Sequence, residues 1–350
     1  MDLYSLRGPY AETLYEPHVA LRCREAVHGG VMKEQAAPAT RVAYIGGAGR
    51  SGSTVLALLL AQVPGFVAVG GLSNIWERGL RDNYLCGCGA HFEDCPFWND
   101  VGNEAFGSWR DLDLDEVLRL RLEVARYRHV PSLLAPNVRR GFAGRFDTYA
   151  DYMAALYRAV ATVSGSTVVV DNSHDLPPAL ILRRTPGIRS QVIHLIRDSR
   201  GVAFSVSKSV LRAEATASRS YMTRFSATEA SGLWLLANGL YHVIPKRSLP
   251  RLVVHYEALV ASPTKEISRV AKFLGEELST SDLAAFGGDS IEVAENHMIS
   301  GNPHRLERRQ MSLRLDEEWR RKMSPRDRRL VTLLTLPLAL PYGYVGSRRR

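Results

Sequence analysis

The 350 residues are 45% hydrophobic and 23% charged, enough to bury a sizeable core in one large α/β domain or two smaller ones. Lys and Arg number 45 against 36 Asp and Glu, a net charge of +9, and only 6 of those cations are lysines. No zinc-finger spacing, RNP-like aromatic run or heptad accompanies that charge. This argues against a nucleic-acid partner; an anionic small ligand calls for several planar guanidinium forks, while much of the excess, such as RDRR at 326–329 and RRR at 348–350, is plain surface charge.

Residues 1–40 carry Gly, Pro and Ala near 29–39 and read as an N-terminal extension, flexible or folded back as a cap. Their start lacks an apolar h-region, and no run in the chain reaches about 18 apolar residues. The chain is therefore expected to be cytoplasmic, with no stable membrane insertion. The nearest such run, 330–345, is broken by Pro337 and Pro341 and suits a packed terminal element; a basic tail follows at 346–350.

The first predicted strand, 41–46, runs into a turn with four glycines (Gly46, Gly47, Gly49 and Gly52), and a helix over 53–63 follows. Glycines permit positive φ and close backbone approach, and the amides at a helix start face an anion. Against the Walker pattern G-x-x-x-x-G-K-[ST], Gly47 to Thr54 match everywhere except Ser53, which stands where lysine belongs. The loop's cation is Arg50. Such a turn grips a phosphate or sulfate ester but lacks the lysine that a P-loop kinase sets on β/γ-phosphates.

A short strand at 66–70 and a helix at 73–80 come next, then a loop in which Cys86, Cys88, His91 and Cys95 spell C-x-C-x2-H-x3-C. Four zinc ligands are present, but a C-x-C pair is awkward for one tetrahedral ion. Reduced packing cysteines are the preferred reading, zinc and a disulfide are the alternatives, and no metal site is assigned. Helices at 112–128 and 146–164 lead to a strand at 166–171, and His174 follows it. A buried strand at 191–196 ends on Arg197, with Ser205 two turns into the next helix, 199–210. A helix at 226–245, a strand at 251–255 and helices near 263–274, 314–322 and 325–335 close the chain. Strands spaced by helices predict an α/β fold, a central parallel sheet flanked by helices on both faces.

The Gly-rich turn paired with Arg197 and Ser205 resembles the sulfotransferases that use 3′-phosphoadenosine-5′-phosphosulfate (PAPS). The resemblance implies that Gly49, Arg50, Ser51, Gly52, Ser53 and Thr54 hold the 5′-phosphosulfate, and that Arg197 and Ser205 hold the 3′-phosphate. LVVHYEALVASP (252–263) resembles the family's Tyr-Glu strand end, which puts Tyr256 near the adenine. HMISGNPHR (297–305) resembles the loop that closes over the nucleotide, which adds Gly301, Asn302 and Arg305, with His297 and His304 in reach of phosphate. LCGCGAHFEDCPFW (85–98) is typical of the bacterial branch. These matches span about 41–344 and imply a P-loop-like sulfotransferase domain over 41–345, with PAP (3′,5′-ADP) as product and no metal requirement.

Sulfuryl transfer needs a base for the acceptor's proton. Many relatives carry a Glu after the second strand, but Gly71 occupies that position here, and Glu77 looks like the helix residue that follows it. His174 is the remaining candidate, because an imidazole accepts a proton near neutral pH. Asp171 and Asp175 flank it, to orient the ring or, for Asp171, to cap the turn. His194, inside a buried strand, reads as structural. The expected partner is a small-molecule acceptor carrying a hydroxyl or, less readily, an amine. Its pocket would come from 73–165 and 211–232, whose aromatic residues line it or fill the core, and a homodimer is compatible with this reading. The alternatives are a small-molecule kinase, kept open by the VVVD run at 168–171, and a nucleotide-binding scaffold that has lost catalysis, suggested by Gly71.

Overall fold

The computed structural model describes residues 38–135, 140–216, 221–288, 290–306 and 310–345. The extension before residue 38 and the tail from 346 lie outside the described residues. Strand β1 is Thr40–Gly46, followed by helix α1 (Ser53–Leu60) and strand β2 (Phe66–Gly70). A π-helical segment, Ile75–Arg81, precedes α2 (Pro96–Phe106), α3 (Leu114–Val124), α4 (Val130–Leu134) and α5 (Arg140–Ser164). Then come β3 (Val168–His174), α6 (Leu176–Arg184), β4 (Ile188–Ile196), α7 (Ser199–Ser207), α8 (Ala227–Val243) and β5 (Arg251–His255). The chain ends with α9 (Tyr256–Ala261), α10 (Pro263–Leu274), α11 (Thr280–Ala284), the hairpin pair β6 (Ser290–Glu292) and β7 (Gln310–Ser312), α12 (Glu318–Lys322) and α13 (Pro325–Ala339).

The five long strands form one parallel sheet in the order β2-β3-β1-β4-β5. β1 is its middle strand, and its residues are apolar on both sides because both faces are covered. Val42 and Tyr44 point into one core with Val169, Val192, Trp76, Trp98 and Tyr157. Ala43 and Ile45 point into the other, filled by Leu56 and Leu59 of α1 and Ile267 and Val270 of α10. Parallel pairing leaves the carboxyl ends of β3, β1 and β4 side by side: Gly46 lies opposite His174 on one neighbour and His194 on the other. Ligands of open α/β sheets bind beyond such an edge, where chain crossovers leave in opposite directions.

The strand positions follow the apolar runs closely. The departures have local causes. β3 continues past Asp171 because the carboxylate Oδ1 accepts the Ser173 amide and hydroxyl, both at 2.6 Å, so polar residues are satisfied inside a sheet. Residues 73–80 form a short 3-10 turn and then the π-helical segment rather than a regular helix. Helices α2 and α6, absent from the expectation, both carry Pro in the first turn, where its missing N–H costs nothing. The terminal helix runs through Pro337 and buries Val331, Thr335 and Ala339. No helix among the described residues is long and apolar enough to cross a membrane.

His194 is structural, as expected: it is fully buried, stacked on Tyr241, with Nε2 3.0 Å from Asn238 Oδ1. Burial pushes its imidazole down to about 3. Below the free imidazole's value of about 6.5 the unfolded chain binds a proton that the native chain refuses, so stability falls with pH down to that lower value. Denaturant titrations should show about 2 kcal/mol less stability from this group at pH 5 than at pH 7. The His194→Gln variant should lose that part of the slope, and an unchanged slope would contradict the assignment.

Candidate active site

The Gly-rich turn leaves β1 under tight constraint. Gly47 has φ of 135°, and a Cβ there would sit 2.3 Å from the Leu195 carbonyl oxygen. Gly52 caps α1 in the left-handed region at φ 97°, with the Tyr256 ring packed where its side chain would be. Arg50 adopts φ 67° without being glycine, a costly backbone state that tends to occur at binding sites. The α1 amino terminus has no side-chain cap for its first amides, which have no intrahelical partner. Ser51 is buried and its hydroxyl has no hydrogen-bond partner among the described residues.

The fold brings the two sequence constellations together. Arg50 Nε donates to Ser205 Oγ at 3.1 Å, and Arg197 Nη1 donates to the Arg50 carbonyl at 3.2 Å. The Arg197 guanidinium also lies 4.5 Å from the centre of the Tyr256 ring. Its Nη2 meets Asp316 Oδ2 at 3.0 Å, a partner that no sequence pattern indicated. Burial pushes the Asp316 carboxyl up, but the Arg197 hydrogen bond and charge outweigh it and hold the group below its usual range. Thr54 Oγ1 accepts the Asn302 amide at 2.9 Å, and Gly301, at φ 144°, lets the late loop press on Thr54. Ser53, Gly49 and the rest of the turn complete this patch.

His174 ends β3 at φ 58°, and its carbonyl accepts the Gly47 amide at 3.0 Å. It lines an open cleft with Gly47, Ala48, Gly49, Tyr127 and Asp175, whose apolar lining includes Val202, Val206, Leu233 and Trp234. Asp171 behaves as a turn cap. It is fully buried, accepts from Tyr157 and Ser173, and burial raises its carboxyl above the usual range. Asp175 caps nothing with its side chain but accepts from the Tyr127 hydroxyl at 2.8 Å. Next to Asp171 in the strand, Asn172 is buried with neither amide atom partnered among the described residues. The switch from VVV to DNSH was its only signal.

Other expected residues sit elsewhere. A Cβ at Gly71 would meet Ser300 Oγ at 2.9 Å and Ser173 Cα at 3.1 Å, so a larger residue there would require its neighbours to shift. Glu77 is ion-paired with Arg121. Arg305 is 1% exposed and spends its guanidinium on the Met298 and Leu85 carbonyls, at 2.7 and 3.0 Å, away from the turn. The aromatic residues of 73–165 are largely core (Trp76, Trp98, Tyr149 and Tyr157 are buried), and the cleft's rings are Tyr127 and Trp234. His297 stacks on Phe97 beside the cysteines, while the His304 side chain lies outside the described residues.

A strand, a Gly-rich turn without the Walker lysine, a helix and a flanking Arg–Ser pair define a P-loop-like group-transfer fold. The model of the sulfotransferase family matches residues 43–280, and the chain belongs to that family. Among solved structures, the sulfotransferase domain of the Synechococcus PCC 7002 olefin synthase is 18% identical, with a TM-score of 0.45 over 90% of this chain and 99% of that one. The sulfotransferase domain from the curacin biosynthetic pathway is 17% identical, with a TM-score of 0.44 over 85% and 97%. Mouse sulfotransferase SULT7A1 complexed with PAP is 11% identical, with a TM-score of 0.43 over 85% and 84%. No curated protein sequence matches the chain.

Proposed function

We propose that this sulfotransferase moves the sulfuryl group of PAPS to a hydroxyl of a small acceptor with an apolar body. The observation that supports this most is the joining of Arg50, Ser205 and Arg197 into one patch beside the turn. The turn's amides, the Ser51 hydroxyl and Arg50 would hold the phosphosulfate. Arg197 and Ser205 would hold the 3′-phosphate, which would share or take the guanidinium that Asp316 engages. Tyr256, under Arg197, would border the adenine.

In this reading the acceptor's hydroxyl sits in the cleft with its proton directed at His174. The new acceptor O–S bond forms as the bond from sulfur to the bridging phosphate oxygen breaks. The proton passes to His174, and the electron pair of the broken bond stays on PAP. Arg50 opposes the charge that grows on that oxygen, so its contact is stronger in the transition state than before it. The apolar walls, Val202, Val206, Leu233 and Trp234, favour a hydrophobic acceptor over a free sugar.

Thermal shift distinguishes this reading from a kinase. PAP without magnesium should raise the melting temperature, and ATP with magnesium should not. The reverse result would favour phosphoryl transfer. In the same assay, Arg197→Ala and Ser205→Ala should weaken binding of 3′,5′-ADP by about 10-fold or more while leaving 5′-AMP nearly unaffected, since each loses a charge-assisted or hydroxyl contact to the 3′-phosphate. Equal weakening for both nucleotides would assign the pair to the fold.

A further inference from the structure

Three cysteines and a histidine meet about the start of α2. The ligand atoms of Cys86, Cys88, Cys95 and His297 all lie within 4.8 Å of one another. Cys95 Sγ is 3.7 Å from Cys86 Sγ, 3.7 Å from Cys88 Sγ and 3.4 Å from His297 Nδ1, and Cys86 Sγ is 3.7 Å from the same nitrogen. None of the three cysteines is in a disulfide. A tetrahedral ion with Zn–S bonds near 2.3 Å and a Zn–N bond near 2.0 Å separates its sulfurs by about 3.8 Å and sulfur from nitrogen by about 3.5 Å. A disulfide needs sulfurs near 2.0 Å. The four spacings centred on Cys95 and Cys86 are those of a metal tetrahedron, and the remaining two stay within 4.8 Å.

We propose that Cys86, Cys88, Cys95 and His297 bind one structural zinc ion that fastens the late loop to the cysteine loop. The fourth ligand is His297, not His91, whose Nδ1 is 2.8 Å from the Asn83 carbonyl oxygen. The local fold is built for the site. A Cβ at Gly87 would meet Asn296 Oδ1 at 2.0 Å, so only glycine fits between the first two cysteines. Trp98 Nε1 holds the His297 carbonyl at 3.1 Å, and Phe97 stacks on its ring. Arg305 spans the two ligand segments, donating to the carbonyls just before Cys86 and just after His297. Its buried charge would offset the single negative charge of zinc with three thiolates and a neutral imidazole. All four positions are taken by protein, so the ion has no open site and no part in the transfer. Its effect would be mechanical: the same loop carries Ser300 and Asn302 to the Gly71 and Thr54 contacts.

The decisive measurement is the metal content, by mass spectrometry, of untagged protein grown with zinc. Wild type and His91→Ala should each hold about one zinc per chain, Cys95→Ser and His297→Ala little or none, and His297→Cys, which offers a fourth thiolate, should keep it. Cobalt exchanged into wild type should give the strong visible bands of tetrahedral thiolate ligation. If Cys95→Ser fails to fold, wild-type metal content and the His297→Cys and His91→Ala pair still decide. Zinc-free wild type, whether its thiols are free or joined in a disulfide, would overturn the proposal, as would zinc lost on His91→Ala or retained in full by His297→Ala. These readouts need no PAPS, so they stand whatever the turnover assays give.

Discussion

His174→Ala lowers kcat by roughly 10²- to 10⁴-fold, the usual size of a general-base contribution, while affinity for PAP barely changes. The residue borders the cleft, and its backbone carbonyl, which truncation leaves in place, accepts the Gly47 amide, so nucleotide contacts should survive. His174→Asn separates chemistry from backbone. Asparagine tolerates the left-handed conformation that His174 adopts but cannot take the proton, so it should be as slow as alanine. A variant with normal kcat would end the assignment, as would parallel loss of rate and nucleotide binding.

Arg50→Ala should cost about 10²- to 10³-fold in kcat/KM with PAPS, the price of losing one preorganised charge donor to a transition state. The fold should survive. The side chain's contacts include Ser205 Oγ and the Met222 sulfur, both at the site rather than in the core. Arg50→Lys should recover only part of the rate, since a point charge replaces a fork. Near-normal turnover by folded Arg50→Ala would remove this residue from the mechanism and leave the turn's amides to hold the sulfuryl group alone.

The strands and the turn were legible because their signals are local. An apolar run such as VVV at 168–170 can only be buried, and glycines at 46, 47, 49 and 52 mark one phosphate-sized turn. Arg197 and Ser205 could be read as a pair because eight residues make about two helical turns. Strand order could not be read, since β1 pairs with β3 and β4 by crossovers that leave no trace in the strands themselves. Asp316 was invisible for the same reason: it reaches Arg197 across 119 residues. The cysteine loop shows the limit most clearly. Spacing pointed to the nearby His91, whereas folding delivers His297 from 202 residues beyond Cys95. Arg305 matched a motif letter by letter, yet its burial directs it to carbonyls, which only the packing reveals.

Arg50 and His174 are two of three non-glycine residues in the described chain with positive φ, and the Gly47 amide ties one segment to the other. Each conformation costs of order 1–3 kcal/mol that glycine would release. A laboratory selection for heat resistance alone would thus enrich Arg50→Gly and His174→Gly clones, sturdier than the parent and, on the roles proposed above, inactive. Directed evolution of this enzyme has to score turnover and survival together, or lock both codons before it begins.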